Sequence, residues 1–142
     1  MPPKSNSFNL TLPSKPTSIT KVEPFLKKIV DALGLDDEQM NKLMVAVTEA
    51  VNNAIVHGNK QDPKKNVTIR SEVQSGELLI VVRDQGKGFN PASLRNPLQE
   101  ENLMLTNGRG VFLMRSLMDK VEVSMDADGT RVELSMSLDR KG

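Results

Sequence analysis

Glu49 and Asn53 stand four residues apart in EAVNNAIVHGN, a spacing that puts a carboxylate and an amide on one face of a helix. A carboxylate there can take a proton from an attacking hydroxyl. The amide oxygen suits a hard cation such as Mg2+, which fills its remaining positions with waters and substrate phosphates. At about 100° per residue that face points away from the apolar stripe centred on Val47 and Val51. Its neighbours are Val45, Ala46, Ala50 and Val56 rather than Lys and Glu, which predicts a covered face.

A second set, Asp84-Gln85-Gly86-Lys87-Gly88-Phe89, follows the apolar run LLIVV. An ionised Asp84 at a strand end only accepts hydrogen bonds and can hold a ligand's amino group, while Gly86 and Gly88 let the backbone turn sharply and approach a planar ring. A third, Asn107-Gly108-Arg109-Gly110, runs straight into VFLMRSLM. Glycines opening a helix expose backbone N–H groups at the positive end of its dipole, a site for phosphate to which Arg109 adds a charge. It is not a Walker A loop. Each set alone has an ordinary reading: a helix packed on a loop, a chain reversal, a glycine turn. Together a cation site, an amino-group reader and a phosphate cradle describe a purine nucleotide with Mg2+.

The surrounding pattern supplies elements to hold them. Ser7 to Leu12 alternates as a half-buried strand, and Thr20 to Leu33 is helical in period, with Ser18 or Thr20 as cap and Gly34 as stop. A second helix runs from Asp36 to about Val56, opened by Asp36, Asp37 and Glu38 where the dipole favours acids. Val67 to Val73 and Leu78 to Arg83 form a hairpin through Ser75-Gly76. After the stretch 85–110, without clear pattern, come a helix over Val111 to Met118, with Leu113, Met114, Leu117 and Met118 facing the core, and strands Val121 to Met125 and Thr130 to Leu138. Phe112 is placed beside the phosphate loop, facing either core or lid. The order predicts an α+β fold, a two-layer sandwich with a mixed, mostly antiparallel sheet and helices on one face.

Composition removes other classes. The 142 residues fit one domain, and 19 Lys and Arg against 18 Asp and Glu give a net charge of +1, too little to favour nucleic acid. The cluster Lys60, Lys64 and Lys65 reads as a solvated turn, and no Tyr or Trp is present to stack bases. Without Cys and with His57 alone, disulfides, thiolate metal sites and multi-histidine sites are excluded, and His57 reads as a helix-end residue. The eight Met read as core filler. No apolar run of about 18 residues is present, so no membrane association and a cytoplasmic location are expected.

With these motifs in this order, the chain resembles the GHKL, or Bergerat-fold, ATPases. EAVNNAIVHGN is similar to their N box, DQGKGF to their first glycine box, NGRGVFLM to their second and Gly129-Thr130 to their last, so the resemblance covers nearly the whole chain. The run GFNPASLRNPLQEENLMLTNGRGVFLMRSLMDKV resembles the anti-sigma-factor serine kinases more narrowly, and no histidine-bearing dimerisation helix precedes it here. The resemblance implies a histidine-kinase-like ATPase fold over 1–142, with an ATP lid at about 90–107. It implies that Asn53 ligates Mg2+ and Glu49 activates the attacking hydroxyl. Asp84 then binds the adenine amino group, Gly86 and Gly88 line the base pocket, Gly108 and Gly110 hold phosphates, and Thr130 acts near adenine through water. Arg109 is added from its charge and position.

The implied activity is that of an anti-sigma regulatory factor and ATP-dependent serine/threonine protein kinase. It holds a sigma factor inactive and phosphorylates a small STAS-type anti-sigma-factor antagonist, as a homodimer. The competing reading is a non-catalytic, ATP-gated protein-binding module in which nucleotide orders 90–107.

Overall fold

A computed structural model of the chain describes residues 7–86 and 109–138, with only the backbone of 109–111. Five strands, β1 (Phe8–Pro13), β2 (Asn66–Gln74), β3 (Glu77–Arg83), β4 (Lys120–Asp126) and β5 (Gly129–Ser137), form one sheet in the order β1-β2-β3-β5-β4. Every pairing is antiparallel, so the sheet is not mixed. Two-residue turns suffice for the β2–β3 and β4–β5 connections. At the first, Ser75 (φ 52°) and Gly76 (φ 77°) both take the positive φ that a tight hairpin with the natural strand twist requires.

Side chains alternate across the sheet. The register row Leu10, Ile69, Val82, Val132 and Val123 lies on the face that the helices cover, whereas the adjacent row Thr68, Arg83, Arg131 and Ser124 lies on the other face. The helix-free face carries ion pairs such as Arg131 Nε to Glu133 at 2.7 Å. Against the apolar face pack α1 (Val22–Leu33) and α2 (Asp37–Asn53), and α3 (Arg109–Leu117) lies against α2 and β4. Leu26, Ile29, Leu43, Val47, Val51 and Met114 are fully buried between the layers. The α+β sandwich expected from the sequence is therefore present.

Helix ends follow local chemistry in one case and depart from it in another. Asp36 caps α2 with a reciprocal pair, Gln39 N–H to Asp36 Oδ1 at 2.8 Å and Asp36 N–H to Gln39 Oε1 at 3.0 Å. Neither Ser18 nor Thr20 caps α1. A 3-10 turn over Pro16–Lys21 precedes that helix, and within it Ser18 Oγ donates to the Pro13 carbonyl and Thr20 Oγ1 to that of Thr17. Pro at the start of this turn fixes the local φ and displaces the α-helical start to Val22. Leu113, expected in the core, is 38% exposed, and Phe112 is 74% exposed, because α3 turns Met114 and Met118 inward instead. Among the described residues no helix is long and apolar enough to cross a membrane.

Candidate functional site: a buried carboxylate where a strand end meets a helix end

β3 delivers Asp84 to the sheet's edge of regularity. Its backbone N–H still donates to the Thr130 carbonyl at 3.1 Å, continuing the β3–β5 ladder by one bond. The side chain then turns inward: Oδ1 accepts the Thr130 N–H at 2.9 Å and the Gly86 N–H at 3.0 Å. Both bonds fall on one oxygen, which leaves Oδ2 without a hydrogen-bond donor among the described residues. Asp84 is only 4% exposed. Burial pushes its carboxyl above the ordinary carboxylate range, against the opposing pull of the Thr130 and Gly86 N–H groups and of the Arg83 and Lys65 charges.

Three glycines make room for this carboxylate. A Cβ on Gly58 would run into Asp84 Oδ2, one on Gly86 into the Gly58 carbonyl oxygen, and one on Gly129 into the Asp84 carbonyl oxygen. Gly129 also has φ 140°, a conformation that L side chains rarely adopt. The sequence motifs contained all three glycines, but only Gly86 was singled out as a site residue. Nothing local to Gly58 or Gly129 signals that they meet Asp84.

Gly58 reaches Asp84 because α2 does not simply stop. At Ala54–Gly58 the helix widens into one π turn, closed by Asn59 N–H to the Ala54 carbonyl at 2.8 Å. Such widened turns are frequent at functional sites, where they shift the following residues out of helical register. Lys60 (φ 53°) and Gln61 (φ 58°) then reverse the chain in the left-handed region, with Gln61 N–H on the Ile55 carbonyl at 2.7 Å. Asn53, the last residue of α2, is buried, and Glu49, one turn earlier, is half-buried. Val45, assigned to the same covered face, is 44% exposed, so the described residues cover that face only in part.

The Asn53 side chain has a notable defect. Its Nδ2 is buried and finds no hydrogen-bond partner among the described residues. Leaving a buried amide unsatisfied costs about 1–3 kcal/mol, so this side chain is poised for a partner from outside the fold. Turned by 180°, the same amide presents its oxygen at that place, which fits a hard cation. Among the described residues no three His, Asp or Glu side chains gather as metal ligands, so a cation here would take most of its ligands from water and substrate.

Arg109 and Gly110 occupy the first turn of α3, where backbone N–H groups lack intrahelical acceptors. Because α3 packs against α2, its N-terminal turn belongs to an element in contact with the helix that carries Glu49 and Asn53. Asp84, Gly86 and Thr130 are thus joined directly by hydrogen bonds, and Gly58 links them to the end of the Asn53 helix. Gly88, Gly108 and the lid at 90–107 lie outside the described residues.

A two-layer sandwich whose capped second helix ends against a buried Asp at the close of a central strand defines the class of the histidine-kinase-like ATPases. The chain belongs to that family: the profile of the histidine kinase-like ATPase domain matches residues 12–136. It is similar to the serine-protein kinase RsbW of Bacillus licheniformis, with 31% identity over 91% of this chain and 84% of the relative. To the serine-protein kinase RsbW of Listeria innocua it is 25% identical, over 96% of this chain and 90% of the relative. Its fold is similar to one third of the chain in the structure of the RsbU and RsbW domains of Rv1364c from Mycobacterium tuberculosis, with a TM-score of 0.71 over 95% of this chain at 20% identity. The names of these relatives agree with the kinase expected from the sequence.

Proposed function

We infer that the protein is an ATP-dependent serine-protein kinase and anti-sigma factor, which phosphorylates a STAS-type antagonist and thereby switches a sigma factor between bound and free states. The observation that carries the nucleotide site is Asp84. Its carboxylate is buried and oriented through one oxygen by two backbone N–H groups, while the other oxygen lies against Gly58 and accepts no hydrogen bond among the described residues.

In this reading Asp84 Oδ2 accepts the adenine 6-amino group, and Gly86 and Gly88 let the base lie against backbone. Thr130, whose N–H already orients Asp84, acts beside the base through water. Gly108, Arg109 and Gly110 bind phosphate at the start of α3. Glu49 takes the proton from the attacking serine hydroxyl, within reach of a group held by Asn53 one helical turn further on. The Asn53 amide would hold Mg2+, which would supply neutralisation of the phosphate charge. The sigma factor, the antagonist and a homodimeric assembly follow from the resemblance to the anti-sigma-factor serine kinases.

The test is transfer of radiolabelled γ-phosphate from ATP, with Mg2+, to each purified STAS-domain protein of the same organism. Labelling of one of them on serine, lost in Glu49→Gln, is the expected result. ATP binding without labelling of any STAS protein would replace the kinase with the non-catalytic, ATP-gated binding module.

A further inference from the structure

Asn59 lies immediately after Gly58 and is 1% exposed, and its amide is fully used. Nδ2 donates to Ser14 Oγ at 2.7 Å and to the Asn66 carbonyl at 3.0 Å, and Oδ1 accepts the Gln85 N–H at 2.7 Å. The amide cannot turn over. Ser14 spends its own hydroxyl proton on the Lys65 carbonyl at 2.8 Å and so faces Asn59 as an acceptor, and the Asn66 carbonyl can only accept. Gln85 is held at a second point, where its Oε1 accepts the Asn66 N–H at 2.6 Å.

These bonds have a geometric consequence for Asp84. The carboxylate sits between two backbone segments, Gly58–Asn59 and Gln85–Gly86: a Cβ on Gly58 would run into the carboxylate itself, and one on Gly86 into the Gly58 carbonyl oxygen. The Asn59 side chain ties those two segments together across 26 residues of sequence and anchors both to the end of β1 and the start of β2. Asp lacks the two donors, Leu lacks all polarity and Gln is one methylene too long, so the set of bonds is particular to Asn.

We propose that Asn59 is a positioning residue that sets selectivity for the purine 6-amino group, by clamping the end of β3 against the π turn and so holding the aim of Asp84 Oδ2. This rests on the reading that Asp84 accepts that amino group. Hydrogen bonds weaken steeply with misdirection, so loosening the clamp reduces the amino-group bond. Contacts to sugar and phosphates use other elements and keep their strength.

The experiment compares binding of ATP and of purine riboside triphosphate, which lacks the 6-amino group, to the full chain with Mg2+. A hydrogen bond to a charged acceptor predicts a wild-type preference for ATP on the order of tenfold or more. Asn59→Ala is expected to cut that ratio by roughly threefold or more while purine riboside triphosphate binds nearly as before. Ser14→Ala, which removes one of the two anchors of Nδ2, moves the ratio in the same direction and decides the matter if circular dichroism shows Asn59→Ala unfolded. A wild-type ratio in the folded variant, including an equal loss of both nucleotides, overturns the role of Asn59. A wild type without preference overturns the amino-group reading of Asp84, and the proposal with it, before any variant is compared.

Discussion

The Asp84 end of the site and the Glu49–Asn53 end are held by different forces. The Asp84 carboxylate is held by the nearby Gly86 N–H and by that of Thr130, 46 positions on, and the neighbouring Asn59–Gln85 bond spans 26. Glu49 and Asn53 owe their relative position to the α-helix between them, a local device completed by the Asp36 capping box. One Asp84 oxygen is fully engaged, whereas the Asn53 amide nitrogen is left without a partner among the described residues. The difference teaches that the half to which the proposed function gives the base is built by the fold, while the half to which it gives the phosphates is a helix face with an unsatisfied amide nitrogen. Preformed donors and acceptors give selectivity, and unsatisfied ones give affinity for what arrives.

The strongest challenge to this division is Glu49→Gln. If the α2 face does chemistry and the Asp84 end does not, phosphotransfer falls by about 10²–10⁴-fold with ATP affinity unchanged. Single-turnover phosphorylation beside calorimetric titration measures both. Equal loss of binding would merge the two halves into one.

Next in size is Asp84→Asn, expected to weaken ATP binding by about 10–100-fold. Its effect on stability has the opposite sign. Burial raises the Asp84 pKa, so the folded protein binds that proton more tightly than the unfolded chain does. Wild-type stability therefore declines as pH climbs from the ordinary carboxylate range through the raised value, and Asp84→Asn lacks this slope. Thermal melts across that window should show the variant gaining on the wild type toward neutral pH, and a parallel pair of curves would contradict the burial argument.

Gly58→Ala probes the contact between the halves. The new methyl overlaps Asp84 Oδ2, whose short, hydrogen-bonded side chain has little freedom to retreat, so a loss of about 1–3 kcal/mol is expected in denaturant unfolding. The smallest effect is that of Asp36→Ala, which removes a cap at the far end of α2. It should cost about 1 kcal/mol while leaving the preference for ATP over purine riboside triphosphate intact. A changed preference would mean that the base-reading half depends on the whole helix rather than on its last turn.

Much of this was legible from residue types. The hairpin through Ser75-Gly76, the acidic start of α2 and the two strands joined by that hairpin are local signals that the fold obeys. The cap of α1 was misplaced because Pro16 opens a 3-10 turn in which Ser18 and Thr20 bond backward to carbonyls. Leu113 was misplaced because a helix of nine residues is too short for periodicity to separate its core face from the positions beside it.

By itself the sequence determined the order of elements, the three motif groups and their placement at element ends, because periodicity, turn chemistry and capping act over a few residues. Only the tertiary structure decided that Gly58, Gly86 and Gly129 converge on Asp84, that one carboxylate oxygen takes both hydrogen bonds and the other takes none among the described residues, and that Asn59 joins four segments. Those contacts join residues that no local pattern links. They exist because burying a carboxylate and an amide demands that their polar atoms be met, and the partners must come from whichever strand the sheet brings alongside.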